Sequence, residues 1–234
     1  SFYAVKTAMK GKKTIFCGDI GCYTLGNAMP LDMVDTCLCM GAGLNIAQGV
    51  EKVEPDTTCF AFVGDSTFFA SAITGVVNAV YNQANMVLVV LDNSTTAMTG
   101  HQPHPGTVRT VMGEIVQKIN IEQVLRGIGV TEIETINPLE LEASVSCVKR
   151  MAEKSGVRAI IFKAPCIAVT KPKAPLHVDQ DSCIGCKKCI RDLGCPAIVM
   201  NDGKICIDAS MCTGCHLCSQ VCPVCAIAGG DDHE

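Results

Sequence analysis

The sequence predicts an α/β fold, a parallel sheet with flanking helices, followed by a small C-terminal α+β domain. Segments rich in β-branched and aromatic residues alternate with longer helical patterns as far as residue 165, which is typical of a parallel sheet covered by helices. Ten of the 17 cysteines then fall within residues 183–234. At 234 residues the chain has room for one sizeable core and one small appended domain.

The predicted elements alternate in type along the chain, and one long segment has no pattern. Strands are predicted at 14–17, 36–40, 58–64, 86–92 and 158–164. Helices are predicted at 43–52, 67–83, 120–127 and 138–155. Residues 95–113 are rich in Thr, Gly, Pro and His and show no period, and a loop of that length in a compact domain is usually functional or disordered.

A domain boundary is predicted near residue 175, because the KPKAP segment at 171–175 has the composition of a linker. The predicted domains are therefore 1–175 and 176–234. The second domain repeats itself, since one cysteine run starts at Cys183 and another starts 29 positions later at Cys212. An Asn-Asp-Gly turn between the two runs predicts a β-hairpin.

Composition argues against several classes of protein. The net charge is −4 and no basic stripe is present, so we expect no nucleic-acid partner. Apolar segments are shorter than the ~20 residues that cross a membrane, so we expect no membrane span. The cysteine distribution favours a reducing, cytoplasmic setting with thiolate-bound metal over a disulfide framework. The sequence does not begin with an initiator methionine and shows no secretory signal, and we expect the chain to be the back part of a longer protein.

The second cysteine run predicts iron–sulfur clusters, because it fits CxxCxxCxxxCP residue by residue, ending at Pro223. Bacterial two-cluster ferredoxins contain this run, and their fourth cysteine binds the cluster of the other run. By resemblance to them, one [4Fe–4S] cluster is held by Cys183, Cys186, Cys189 and Cys222, and the other by Cys212, Cys215, Cys218 and Cys195.

The first run departs from the ferredoxin pattern, since five residues rather than three separate Cys189 from Cys195. These two cysteines would serve different clusters, so we expect the insertion to be tolerated, with Gly194 available for a positive φ. Zinc is an alternative that needs only CxxC pairs, but it leaves the third cysteine of each run without a purpose. Cys206 and Cys225 lie off the motif and are expected to be small buried hydrophobes.

Polar residues follow two neighbouring strands of the predicted sheet. Asp65 comes after Gly64 at the end of one strand, and Asn93 ends the next strand 28 positions later. Ligands of parallel α/β sheets bind at the carboxyl ends of the strands. Carboxylate, amide and carbonyl oxygens suit Mg²⁺, which phosphate often completes. The sequence therefore predicts a site for Mg²⁺ and a diphosphate.

The Gly-Asp-Ser to Asn spacing resembles the diphosphate motif of thiamine-diphosphate enzymes. By that resemblance, Asp65, the side chain of Asn93 and the backbone carbonyl of Thr95 bind Mg²⁺, while Ser66 replaces the usual glycine. With the ferredoxin-like tail, the chain resembles the α subunit of 2-oxoacid:ferredoxin oxidoreductases of the indolepyruvate type. The similarity extends over GDIGCYTLG, MGAG, GDSTFF and LDNSTTAMTGHQPHPG.

This resemblance implies a reaction and its partners. Thiamine diphosphate would decarboxylate a 2-oxoacid, the [4Fe–4S] clusters would carry the electrons to an external ferredoxin, and coenzyme A would take the acyl group. A second (beta) subunit and an upstream pyrimidine-binding domain with the activating glutamate would complete the enzyme, so this chain is expected to be an incomplete catalyst. We expect an oligomer in the cytoplasm of an anaerobic organism.

The resemblance also implies further site residues. Cys22 and Cys166 would be ligands of a third cluster next to the thiamine, completed by a CxxC upstream; two buried thiols are the alternative. The helix-opening residues Gly41, Ala42 and Gly43 would offer backbone N–H groups near the diphosphate, or serve as a small-residue packing turn. A loop closing over the cofactor would include Thr99, Gly100 and Gln102.

Two histidines in the same loop, His101 and His104, are candidates that line the site, although a structural role is the simpler interpretation. Two other functions remain open at this stage. An electron-transfer ferredoxin fused to a non-catalytic α/β domain would show no thiamine dependence. A non-redox thiamine decarboxylase would leave the cysteine tail unexplained.

Overall fold

The computed structural model describes residues 1–229 and contains a six-stranded parallel sheet. Its strands are β1 (Thr14–Gly18), β2 (Thr36–Cys37), β3 (Thr58–Gly64), β4 (Met86–Asp92), β5 (Glu132–Ile136) and β6 (Val157–Lys163). Their spatial order is β2-β1-β3-β4-β6-β5, and every neighbouring pair is parallel. The predicted fold class is confirmed.

Helices cover both faces of this sheet. They are α1 (Phe2–Ala8), α2 (Ala42–Val53), α3 (Asp65–Thr67), α4 (Ile73–Tyr81), α5 (Ile121–Ile128) and α6 (Leu141–Glu153). Buried residues of α2, α4 and α5 pack on one face of the sheet, and those of α1 and α6 pack on the other. Central strand β3 therefore alternates between two cores, with Ala61 and Val63 in one and Phe60 and Phe62 in the other.

The structure differs from the predicted elements at the sheet edges. Strand β5 was not predicted because its sequence, EIETI, carries two glutamates on an edge strand that is only partly buried. Strand β2 pairs over Thr36–Cys37 only, instead of 36–40, and the following Leu38 and Met40 are exposed. Helix α1 was also not predicted, because seven residues give too short a periodic pattern.

The predicted helix at 67–83 is interrupted. Helix α3 begins at Asp65, one π turn spans Phe68–Ala72, and α4 follows. A π turn contains one residue more than an α turn and often marks a functional site. An uninterrupted apolar pattern gives no sign of such a turn, so the prediction of one continuous helix was wrong here.

The cysteine-rich region has its own small core, which includes Leu176, Ile198 and Ile205. Its elements are β7 (His177–Val178), α7 (Lys188–Leu193), β8 (Ile198–Asn201), β9 (Lys204–Ile207), α8 (Leu217–Val221) and β10 (Ile227–Ala228). Strands β7 and β10 are antiparallel, as are β8 and β9. The predicted hairpin is confirmed, with Asp202 and Gly203 at positive φ in its turn. The predicted linker at 171–175 lies between β6 and β7.

Contacts between the two regions include a hydrogen-bonding clamp by Gln220 and close packing of Gly194 against the ring of Pro30. Gln220 accepts a 2.9 Å hydrogen bond from the N–H of Leu141 and donates a 2.7 Å bond to the carbonyl of Leu139. Leu141 opens α6, whose N-cap residue makes no side-chain cap, so Gln220 satisfies an otherwise free helix N–H. A Cβ at Gly194 would lie 2.5 Å from Cδ of Pro30. Within residues 1–229, no helix has the length and apolar character to cross a membrane.

Candidate functional site

A cavity of about 360 Å³ opens at the carboxyl ends of the central strands, where the sequence predicted a ligand. Its volume falls within the range of small-molecule sites, which is about 300 to 1,000 Å³. The predicted residues that line it are Gly64, Asp65, Ser66, Asn93, Thr95, Thr99 and Cys22.

Asp65 is held in place by backbone N–H groups from α3 and from the loop after β4. It is 2% exposed, its Oδ1 accepts the N–H of Ser66 at 2.8 Å, and its Oδ2 accepts the N–H of Ser94 at 2.7 Å. Ser94 has a φ of 62°, which turns the chain beside Asn93 so that Oδ1 of Asn93 accepts the N–H of Thr95 at 3.2 Å. The residues of the predicted Mg²⁺ site are thus brought together.

Carboxylate, amide and hydroxyl oxygens line the cavity, and a second carboxylate, that of Asp92, lies near Asp65 outside the cavity lining. Asp92, at the end of β4, is partly buried. Burial is the largest cause that raises the pKa of Asp92, and the nearby Asp65 carboxylate is the second. The nearest cation, Nζ of Lys163, is 3.8 Å from Asp92. Two carboxylates in one partly buried site repel each other, and a bound Mg²⁺ would remove that repulsion.

The Ser66 side chain connects α3 to the loop after β4, a contact that a glycine at this position could not make. Its hydroxyl oxygen accepts a 2.9 Å hydrogen bond from Oγ1 of Thr96. Thr96 is also joined by its backbone to Gln102, whose carbonyl accepts the N–H of Thr96 at 3.1 Å. The serine therefore ties the loop after β4 to the N-terminus of α3.

The N-terminus of α2 lies very close to β1. A Cβ at Gly43 would be 2.8 Å from the carbonyl oxygens of Cys17 and Gly18, so only glycine permits this approach. Gly41 has a φ of 84° and donates its N–H to Asp19, and Ala42 donates to the carbonyl of Cys39. Two of the three predicted N–H groups already have acceptors in the chain, so their contact with a diphosphate stays a prediction.

Sequence reasoning missed a buried network beside the cavity. Asp19, 1% exposed, accepts hydrogen bonds from the hydroxyl of Tyr23 and the N–H of Gly41. The Tyr23 hydroxyl is also 3.2 Å from Oγ1 of Thr67. Burial raises the pKa of Asp19 to about 6. The signal was present, because Gly18-Asp19 ends β1 as Gly64-Asp65 ends β3.

The loop after Thr95 folds back on itself. Thr99 donates to Oε1 of Gln102 at 2.7 Å, and Gly100 has a φ of 113°. Thr99, Gly100 and Gln102 are all exposed, and of the three Thr99 lines the cavity; their cofactor role stays a prediction. The structure separates the two candidate histidines: His101 is exposed, whereas the side chain of His104 is 5% exposed and 3.2 Å from Asp65.

The two cysteines predicted for a third cluster lie near the same loop. Cys22 lines the cavity and is exposed, which corrects the alternative that it is a buried thiol. Cys166 is partly buried and donates its N–H to the carbonyl of Asn93 at 3.1 Å. Their role as cluster ligands stays a prediction.

The structure brings the eight motif cysteines together as two groups of four. Cys183, Cys186, Cys189 and Cys222 line one cavity of about 20 Å³. Burial raises the pKa of Cys189, and its neighbours Cys186 and Cys222 raise it further. In the second group, burial raises the pKa of Cys218 to about 12, with further contributions from Cys215, Cys195 and Cys212. Thiols in such groups become thiolates when a metal supplies the compensating charge.

The remaining cysteines of this region behave differently from expectation. Cys206 is partly buried in β9, but Cys225 is exposed at a φ of 53°, so the prediction of a buried hydrophobe was wrong for Cys225. The physical reason for its exposure is the turn that follows Pro223 and leads the chain into β10.

Within residues 1–229, no three His, Cys, Asp or Glu side chains are arranged so that they could hold a single metal ion.

Comparison with known proteins agrees with the geometry of the cavity. Residues 19–162 match the C-terminal TPP-binding domain of thiamine pyrophosphate enzymes. The chain belongs to this family. Over 233 residues it is 42% identical to indolepyruvate oxidoreductase subunit IorA of Methanothermobacter thermautotrophicus, and over 234 residues it is 39% identical to the IorA subunit of Archaeoglobus fulgidus. The predicted resemblance is confirmed.

These relatives are longer proteins. The match covers 97% of this chain but 38% of the Methanothermobacter subunit and 37% of the Archaeoglobus subunit. A solved 2-oxoglutarate:ferredoxin oxidoreductase from Magnetococcus marinus matches in fold, with a TM-score of 0.64 at 19% identity. That similarity covers 73% of this chain and 62% of the solved chain.

Proposed function

We propose that this chain is the diphosphate-binding and electron-exit part of a thiamine-diphosphate-dependent 2-oxoacid:ferredoxin oxidoreductase. The preferred substrate is an aryl pyruvate such as indolepyruvate, by similarity to the IorA subunits. One observation carries the proposal. A single chain combines an oxygen-donor site at Asp65 and Asn93, within a TPP-binding domain, with two groups of four thiols.

The residues of the cavity would hold the cofactor through its diphosphate. Asp65, the Asn93 side chain and the Thr95 carbonyl would bind Mg²⁺, which binds the diphosphate in turn. The apolar walls from Met40, Leu91 and Met98 would exclude water from the rest of the cofactor. Thiamine diphosphate supplies the electron sink for decarboxylation of the 2-oxoacid, and the protein supplies position and electrostatics.

The thiols would provide the exit for the electrons. Each group of four would hold one [4Fe–4S] cluster, and the electrons would leave to an external ferredoxin in the cytoplasm. Coenzyme A would accept the acyl group. A beta subunit and an upstream pyrimidine-binding domain with the activating glutamate would complete the assembly, since the relatives are more than twice as long.

Asp65→Ala tests the enzymatic proposal. We expect the full-length complex carrying it to lose Mg²⁺-dependent thiamine diphosphate binding and 2-oxoacid-dependent dye reduction, because the carboxylate is the only charged ligand proposed for Mg²⁺. Asp56→Ala, at an exposed aspartate, is the matched control and should retain both. Dye reduction that survives Asp65→Ala would overturn the proposal in favour of a ferredoxin fused to a non-catalytic domain.

Metal analysis of the same anaerobically purified complex tests the exit route. Two [4Fe–4S] clusters contribute about eight iron atoms and an equal amount of acid-labile sulfide per chain. Zinc without sulfide would support the zinc alternative.

A further inference from the structure

His104 belongs to the loop after β4 and lies directly beside Asp65. Its Nε2 is 3.2 Å from Oδ2 of Asp65, with side-chain exposures of 5% for His104 and 3% for Asp65. Asp65 lines the cofactor cavity, whereas His104 lines a smaller cavity of about 140 Å³ together with Asp92 and Lys163. The histidine thus approaches the carboxylate from outside the cofactor cavity.

The hydrogen bonds of the ring identify which nitrogen carries the proton. Nδ1 of His104 accepts the N–H of Gly106 at 3.1 Å. In a neutral imidazole the other nitrogen is then the donor, so the proton is on Nε2, which faces Asp65. Nε2 is buried and has no aligned hydrogen-bond partner within residues 1–229. A buried donor without a partner is costly, and Asp65 is the acceptor within reach.

The ring has little freedom to turn away. Phe69, from the π turn that follows Asp65, packs against it with ring centroids 5.8 Å apart. A Cβ at Gly106 would be 2.8 Å from the Phe69 ring and 2.9 Å from the His104 ring, so only glycine fits between them. The interrupted helix, the glycine and the histidine therefore form one packed unit behind the carboxylate.

We propose that His104 is a positioning residue for Asp65, donating from Nε2–H so that the carboxylate is fixed for Mg²⁺. This inference rests on the proposed function. A carboxylate has about four acceptor positions. The N–H groups of Ser66 and Ser94 take two, and the proposed donation from Nε2–H of His104, 3.2 Å from Oδ2, would take a third, which leaves one for the cation. Such outer partners contribute about 10- to 100-fold to metal affinity.

A pair of substitutions at position 104 separates the donor from the ring. His104→Asn keeps an acceptor near Nδ1 but removes the donor towards Asp65, whereas His104→Gln places an amide donor near Nε2. His177→Asn is the control, because His177 is an exposed histidine in β7 and does not line the cofactor cavity.

The measurement is equilibrium binding of labelled thiamine diphosphate to the full-length complex at a series of Mg²⁺ concentrations. We expect His104→Asn to weaken the apparent Mg²⁺ affinity by about 10- to 100-fold, with binding restored at high Mg²⁺. His104→Gln should recover most of the affinity, and His177→Asn should match the unchanged complex. Iron content and melting temperature are recorded for each variant to monitor folding.

The outcomes distinguish this inference from the function on which it rests. If the unchanged complex shows no Mg²⁺-dependent binding, the proposed function fails. If it binds and His104→Asn binds equally well, the positioning role is overturned. Equal losses in the Asn and Gln variants, accompanied by lower melting temperature and iron content, would assign His104 a purely structural role and also overturn the inference.

Discussion

The two cysteine runs have the same backbone conformation through their first three cysteines and differ in how they reach the fourth. Gly185 and Gly214 have φ values of 64° and 65°, and Lys187 and His216 have values of 59° and 58°. Each run then enters a short helix, α7 or α8. The conformation of each three-cysteine loop is therefore determined locally, by a glycine and one left-handed residue, and is the same in both halves.

The connection to the fourth cysteine is where the halves diverge. Helix α7 ends at Gly194, at a φ of 62°, and Gly194 packs against Pro30 of the first region. Helix α8 leads directly to Cys222 and contacts the first region through Gln220. Since adjacent cysteines across this connection belong to different groups, its length is free to vary, and each half makes a different contact with the first region here.

The largest expected effect breaks one group of four thiols. Cys195→Ala should remove about four iron atoms per chain, because the group of Cys212, Cys215 and Cys218 loses its fourth ligand across the connection. Cys206→Ala, at a partly buried cysteine outside both groups, is the control and should leave the iron content unchanged. Iron and sulfide analysis with electron paramagnetic resonance measures both. Full iron content in Cys195→Ala would contradict the crossed arrangement.

An intermediate effect is expected from the longer connection itself. Gly194→Ala and Gly203→Ala both place a side chain at positive φ, which costs about 1 to 2 kcal/mol. Only the first adds a collision, since a Cβ at Gly194 meets Pro30 at 2.5 Å while a Cβ at Gly203 meets nothing within 4 Å. Gly194→Ala should therefore lower the temperature of cluster loss, followed by visible absorbance, more than Gly203→Ala. Equal shifts would mean that the contact with Pro30 adds nothing.

The smallest expected effect tests whether the two cysteine loops are energetically equivalent. Lys187→Gly and His216→Gly each place a glycine at a positive φ, which removes the steric cost of the left-handed conformation. The greater flexibility that glycine gives the unfolded chain offsets part of this stabilisation. Each should change the free energy of unfolding by no more than about 1 kcal/mol, and by similar amounts. Chemical denaturation of the two variants compares them. A clear difference would show that the two loops are not energetically equivalent.

The elements that the sequence predicted best are those whose residues all share the same environment, such as burial on both faces of the sheet. Strands β3 and β4 are buried on both faces and read as continuous apolar runs. The edge strand β5 was missed because Glu132 and Glu134 interrupt its pattern. The π turn was missed because it changes the register of a helix without changing its composition.

The residues of the candidate site also divide into those that the sequence could predict and those that it could not. Asp65 and Asn93 were predictable, because strand ends that meet at one edge of a sheet follow from the element order. Asp19 carried the same Gly-Asp signal but no known spacing. His101 and His104 could not be distinguished, since they lie three positions apart in a segment without a period, and only the contact with Phe69 and Asp65 separates them.

The Gln220 clamp has a consequence for exchanging parts between proteins. Gln220 binds a main-chain N–H and a main-chain carbonyl of the first region, so it recognises backbone and no particular side chain. Any residue except proline at position 141 supplies the backbone N–H that donates to the side-chain oxygen of Gln220. A foreign cysteine-rich module grafted after the linker could make this contact with a glutamine at the matching position of its second helix, provided that its first helix ends without a collision with Pro30.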